Sequence, residues 1–150
     1  HGAEHSAENQ IPFIQSALPG VKLVVGLIGD HDRETVGEWS RALTEIARKK
    51  KILVVASTDL LHHPDYERVK RTDRTTLERM VAMDAAGLLE AYKREQVCCG
   101  VMAVLTALDF AAGQGCKKGI LLDARNSGDD HPESRGQYVV GYGAVVFAAP

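Results

Sequence analysis

An aspartate and a histidine three residues apart, Asp59 and His62, stand where the apolar run Ile52-Leu53-Val54-Val55-Ala56 gives way to polar sequence. A carboxylate at that spacing can orient an imidazole, tune its proton affinity or help it hold a cation, and His62 suits acid–base work near neutral pH. A plainer reading stays open: Thr58 and Asp59 cap a turn, and one of the adjacent histidines, His62 or His63, is merely exposed.

Three further groups could carry chemistry. Cys98-Cys99-Gly100 precedes an apolar stretch, and a cysteine at the mouth of a helix has a lowered pKa, which makes it a better nucleophile or soft-metal ligand. Small cysteines also fill packed corners, and periodicity does not decide which of the two faces a cleft. Cys116 reads as loop or filler. The opening Glu4-His5-Ser6-Ala7-Glu8-Asn9-Gln10 is denser in polar groups than a helix start needs, although a solvated terminus explains it equally well. Asn126-Ser127-Gly128-Asp129-Asp130-His131 has the composition of a solvated turn. The chain contains no phosphate-binding loop, paired CxxC, HExxH or nucleophile elbow.

Elements must position these groups. Val21 to Gly29 is a β-branched run closed by Gly29-Asp30, and Ile52 to Thr58 is a second one. Between them Asp32 is a plausible N-cap, and Val36, Trp39, Leu43, Ile46 and Ala47 recur at helical spacing up to the basic run Arg48 to Lys51. Strand, helix, strand in that order implies a right-handed crossover in a largely parallel sheet covered on both faces. A helix follows Pro64 and restarts near Asp84, and another runs from Gly100 to Ala112. Late strands fit Gly119 to Ala124 and Tyr138 to Ala149. The whole is one mixed α/β domain, with the site residues at the carboxyl ends of strands, where open sheets bind ligands.

Composition narrows the function. The 150 residues, 45% of them apolar, support one core. Eighteen Lys and Arg against 20 Asp and Glu leave no basic field for a nucleic-acid backbone. No window approaches the roughly 18 consecutive apolar residues of a membrane span. Three cysteines make no disulfide framework, so reduced thiols in a cytoplasmic protein are the expectation. The chain opens with His1 rather than Met and reads as a piece of something longer.

Taken in order, Glu4-His5-Ser6-x-Glu8-x-Gln10-x-Pro12-Phe13, Val55-Ala56-Ser57-Thr58-Asp59-x-x-His62, Cys99-Gly100, Asn126-Ser127-Gly128 and Val140-Gly141-Tyr142 resemble the Memo family over almost the whole chain. The resemblance implies an α/β fold like that of the class III extradiol dioxygenases, with iron or copper as the cofactor. It also implies a relation to the AmmeMemoRadiSam proteins, with AMMECR-type or radical-SAM partners. Cys99 matches the family's metal-ligand cysteine. Asp59 and His62 match residues of the same pocket, and His5 with Glu8 matches a further pocket motif. The remaining two family ligands are histidines in Ala-Pro-His and Ser-His-His motifs, which this sequence lacks. The chain thus corresponds to a C-terminal portion with an incomplete ligand set.

Two functional expectations follow from that resemblance. One is a metal-dependent oxidoreductase acting on a small molecule, with Cys99 as ligand, His62, Asp59 and His5 as acid–base or supporting groups, and Glu8, His63, Asn126 and Ser127 lining the pocket. A thiolate where the extradiol enzymes have a carboxylate argues against simple transfer of ring cleavage. The other is a non-enzymatic module that takes an anionic peptide or a protein partner in the same pocket; a structural alternative to both is a fragment that folds only with its missing segment or as a homo-oligomer.

Overall fold

A computed structural model describes residues 5–29 and 32–148, so His1 and Glu4 of the opening motif lie outside the described residues. Helix α1 (Ser6–Ala17) precedes α2 (Arg33–Ala47) in the chain. The Asp32 carboxylate accepts from the Thr35 N–H at 2.7 Å, so this residue is the N-cap that its type and position suggest. Strand β1 (His62–His63) leads into α3 (Tyr66–Val81), capped by Asp65, and α4 (Ala85–Glu95), capped by Asp84. Helix α4 stops at Gln96, which takes a left-handed conformation with φ 49°. Then come α5 (Val101–Gly113), β2 (Ile120–Asn126), a single turn α6 (Ser127–Asp130), a 3-10 turn at Pro132–Ser134, and β3 (Val139–Val146).

Helix α5 explains where the core lies. It is apolar nearly all round, with Val101, Leu105 and Leu108 buried, and a helix of that kind has to be surrounded. Helices α2 and α4 pack against it, bringing Val36 and Leu88 into the same cluster. Helix α3 covers the sheet; its Leu77 lies so close to Gly143 that a Cβ there would sit 2.5 Å from Leu77 Cδ2.

The sheet differs from expectation. Among the described residues it has three strands in the order β1-β3-β2, all antiparallel, with His62 opposite Val140 and Asn126 opposite Gly141. The two late strands stand where the sequence puts them, but the largely parallel sheet flanked by helices is not formed. The runs 21–29 and 52–58 form neither helix nor strand among the described residues. Val24 is 97% exposed and Leu53 70%, so neither run is covered on both faces. The reason is physical: an unbroken apolar run marks a segment that favours burial, but it does not name the neighbour that supplies its hydrogen bonds. No helix among the described residues is long and apolar enough to cross a membrane.

Candidate metal centre

The run ending at Ser57 delivers Asp59 and His62 to one corner, and the turn before α5 delivers Cys99 to the same place. One ligand atom from each of the three lies within 4.8 Å of the other two. Within this group His62 Nε2 and Asp59 Oδ2 are 2.7 Å apart, while Asp59 Oδ1 is buried with no hydrogen-bond partner among the described residues. An orphaned carboxylate oxygen next to a thiol and an imidazole is what a cation would satisfy. The donor set, sulfur with nitrogen and oxygen, suits iron, copper or zinc better than a hard ion such as magnesium. These residues therefore fit a metal, although three donors from this chain differ from the cysteine with two histidines that the motif comparison implies.

Local chemistry explains how segments 40 residues apart meet. The Thr58 hydroxyl accepts from the Gly100 N–H at 2.8 Å, which ties the strand exit to the cysteine turn. Gly100 has to be glycine for this approach. A Cβ there would lie 2.8 Å from the Ser57 carbonyl and 2.9 Å from Thr58 Cβ. Ser57 in turn holds the start of α1: its hydroxyl donates to the Ser6 carbonyl at 2.9 Å and accepts from Gln10 Nε2 at 3.1 Å. The opening motif thus anchors at the strand exit through Ser6 and Gln10.

The two adjacent cysteines separate clearly. Cys98 is fully buried, and burial, with smaller contributions from Cys99 and Asp59, pushes its thiol up to about 12. The lowered pKa expected of a cysteine at a helix mouth therefore does not apply to Cys98. Cys99 is exposed and belongs to the corner. Cys116 is buried filler, its thiol donating to the Lys118 carbonyl at 3.3 Å.

Other residues singled out in the sequence make contacts of their own. His5 and Glu8 pair with each other at 2.8 Å on the exposed first turn of α1 and are not members of the three-residue group. His63 accepts from the Asp65 N–H at 2.9 Å and so helps to start α3. Ser127 accepts from the Val140 N–H at 3.0 Å, and Asn126 is buried at the end of β2, its N–H donating to Asp129 at 3.0 Å. These two brace the turn against β3 at the residue paired with His62. The polar stretch expected to be a loop is a capped helical turn, because Asp129 reaches back to satisfy it.

Sequence reading missed Tyr138. Its hydroxyl lies 2.7 Å from His62 Nδ1, and the two rings meet edge to face at 5.5 Å. Facing an ionised Asp59, a neutral imidazole would carry its proton at Nε2 and accept from the tyrosine at Nδ1. Only the pairing of β1 with β3 places these residues together, and no local pattern announces it.

A cavity of about 350 Å³ opens beside the corner, lined by Leu60, Leu61, His62, Tyr92, Glu95, Gln96 and Cys99. With this geometry in view, the order of motifs can be set against known proteins. The profile of the Memo-like protein family matches residues 1–146. The chain belongs to the Memo-like family. A MEMO1 family protein from Methanopyrus kandleri is 34% identical over 153 residues, covering 98% of this chain and 53% of the relative. One from Archaeoglobus fulgidus is 31% identical, covering 98% and 56%. A third, from Thermoplasma volcanium, is 32% identical, covering 97% and 53%. The chain spans about half the length of these curated Memo relatives. The Memo resemblance read from the five motifs is thus borne out, and the mixed α/β architecture accords with it.

Proposed function

We propose that the corner of Asp59, His62 and Cys99 is part of a redox metal site, and that the Memo-like chain uses it on a small molecule held in the adjoining cavity. The observation that carries this reading is the convergence of three different donors around a buried oxygen of Asp59 that no other group among the described residues satisfies. Cys99 as thiolate and Asp59 through Oδ1 would hold iron or copper, with the donors the family keeps in its histidine motifs completing the set. A bound iron or copper would supply one-electron chemistry at this corner.

The chain's own residues do the rest. His62 is held by Asp59 on one side and Tyr138 on the other, so a neutral ring would carry its proton at Nε2, next to the cysteine. It can give that proton or, as imidazolium, keep two. Leu60, Leu61 and Tyr92 give the cavity apolar wall, and Glu95 and Gln96 give it polar groups, which suits a small molecule with both characters.

The test is an anaerobic titration of Fe(II), Cu(I) and Zn(II) into this chain and into Cys99→Ser, followed by a longer chain that carries the upstream histidine motifs. Loss of affinity of about tenfold or more in Cys99→Ser is expected. Equal affinity in the two proteins sinks the reading. The cavity also favours a second reading, a module that binds a peptide without turnover; peptide binding that survives Cys99→Ser distinguishes it.

A further inference from the structure

Asp73 lies on α3, in the charged stretch Lys70-Arg71-Thr72-Asp73-Arg74, yet it is only 7% exposed. Most residues of such a stretch face solvent. A carboxylate turned inward costs free energy unless something requires it there. What it meets is the backbone just before His62. Its Oδ1 accepts from the Leu61 N–H at 3.0 Å.

The need for that bond comes from an irregularity in the β1–β3 pairing. The Leu60 N–H donates to the Gly141 carbonyl at 2.9 Å, and the Gly141 N–H donates to the Leu61 carbonyl at 3.1 Å. Two consecutive residues therefore share one partner residue, which is the hydrogen-bond arithmetic of a β-bulge. The Leu61 N–H is left without a place in the ladder, and Asp73 supplies the missing acceptor. On the other strand Gly141 makes room, since a Cβ there would lie 1.7 Å from Asp73 Oδ2. The next residue along, His62, resumes regular pairing opposite Val140 and presents its ring to Asp59 and Tyr138.

Bulges re-aim the side chain that follows them, and this one precedes the histidine of the metal corner. We infer that Asp73 is a positioning residue: by accepting from Leu61, in a space kept open by Gly141, it holds the bulge that aims His62 at Asp59 and Cys99. It touches no ligand itself. The inference rests on the proposed metal corner for its functional meaning, but the aiming of His62 is measurable with no metal present.

The experiment uses the 150-residue chain, metal-free, with the ring nitrogens of His62 observed by 15N NMR in the parent, Asp73→Asn and Asp73→Ala. In the parent a single Nε2–H tautomer is expected. Asn keeps an acceptor and should keep that signature; Ala removes it and should give a mixture of tautomers. Zn(II) affinity, measured separately, should fall about tenfold in Ala and change less than about threefold in Asn. A folded Asp73→Ala with the parent's tautomer signature overturns the inference. Should Ala fail to fold, the Leu61 amide of the parent decides: a scalar coupling across its hydrogen bond to the Asp73 carboxyl carbon supports the role, and its absence overturns it. Zn(II) binding that fails already in the parent would count against the metal reading alone, since the tautomer result stands independently.

Discussion

The Tyr138 hydroxyl, just ahead of β3, lies 2.7 Å from His62 Nδ1, while the opposite nitrogen of the same ring faces Asp59, also at 2.7 Å. The imidazole is therefore clamped at both ends by groups 79 residues apart in the chain, and its tautomer is fixed by the two neighbours together. Tyr138→Phe should release one end. The expected result is a folded protein, destabilised by about 1 kcal/mol or less, whose His62 ring nitrogens show exchange between tautomers. An unaltered 15N signature would mean that Asp59 alone sets the tautomer.

Gly100→Ala pushes a methyl against the Ser57 carbonyl and Thr58, the contact that holds the cysteine turn to the strand exit. Both neighbours are constrained, Thr58 by its bond from the Gly100 N–H. A cost of about 1–3 kcal/mol in urea unfolding is expected, together with weaker metal binding, because Cys99 moves with the turn. A variant as stable as the parent would show that the turn yields easily.

Alkylation should separate the thiols. In the native protein iodoacetamide is expected to modify Cys99 well ahead of Cys98, which is fully buried with its thiol pushed up to about 12, and ahead of buried Cys116. Bound metal should protect Cys99. Peptide mapping by mass spectrometry reads both effects, and early labelling of Cys98 would contradict the packing described.

Burial raises the Asp73 carboxyl from 3.8 to about 6, against the hydrogen bond from the Leu61 N–H and the electrostatic influence of nearby His62, which both lower it. The folded chain then holds this proton more tightly than the unfolded chain does. Between about pH 4 and pH 6 the unfolded state releases it first, so stability linked to Asp73 falls as pH rises through that window and stays lower above it. Asp73→Asn cannot ionise. Its stability relative to the parent should improve from pH 4 to pH 7 by at most about 3 kcal/mol, read from urea melts at the two values. A difference independent of pH would show that the carboxyl titrates normally.

Some of this was legible in the sequence. Asp32 and Asp84 start helices because short carboxylates satisfy the first backbone N–H groups, a local rule that survives in the fold. Cys99, Asp59 and His62 could be grouped by motif order, and the fold does bring them together. What the residues could not disclose depends on pairing. Tyr138 reaches His62 only through the register of β1 on β3, and Asp73 looks like one more solvated charge until the Leu61 N–H is found without a ladder partner. The two apolar runs misled for the same reason, since composition reports a wish for burial and not the direction or identity of a neighbour.

Strand β3 lies between β1 and β2, yet of the three it comes last in sequence. A ribosome would therefore deliver both outer strands, and every one of Asp59, His62 and Cys99, before the strand that joins them. Until Val139 to Val146 emerges, β1 lacks the strand it pairs with among the described residues and the imidazole lacks its tyrosine. The clamp on His62 is thus completed only when β3 joins the sheet, because chain order places that strand after all three donors of the corner.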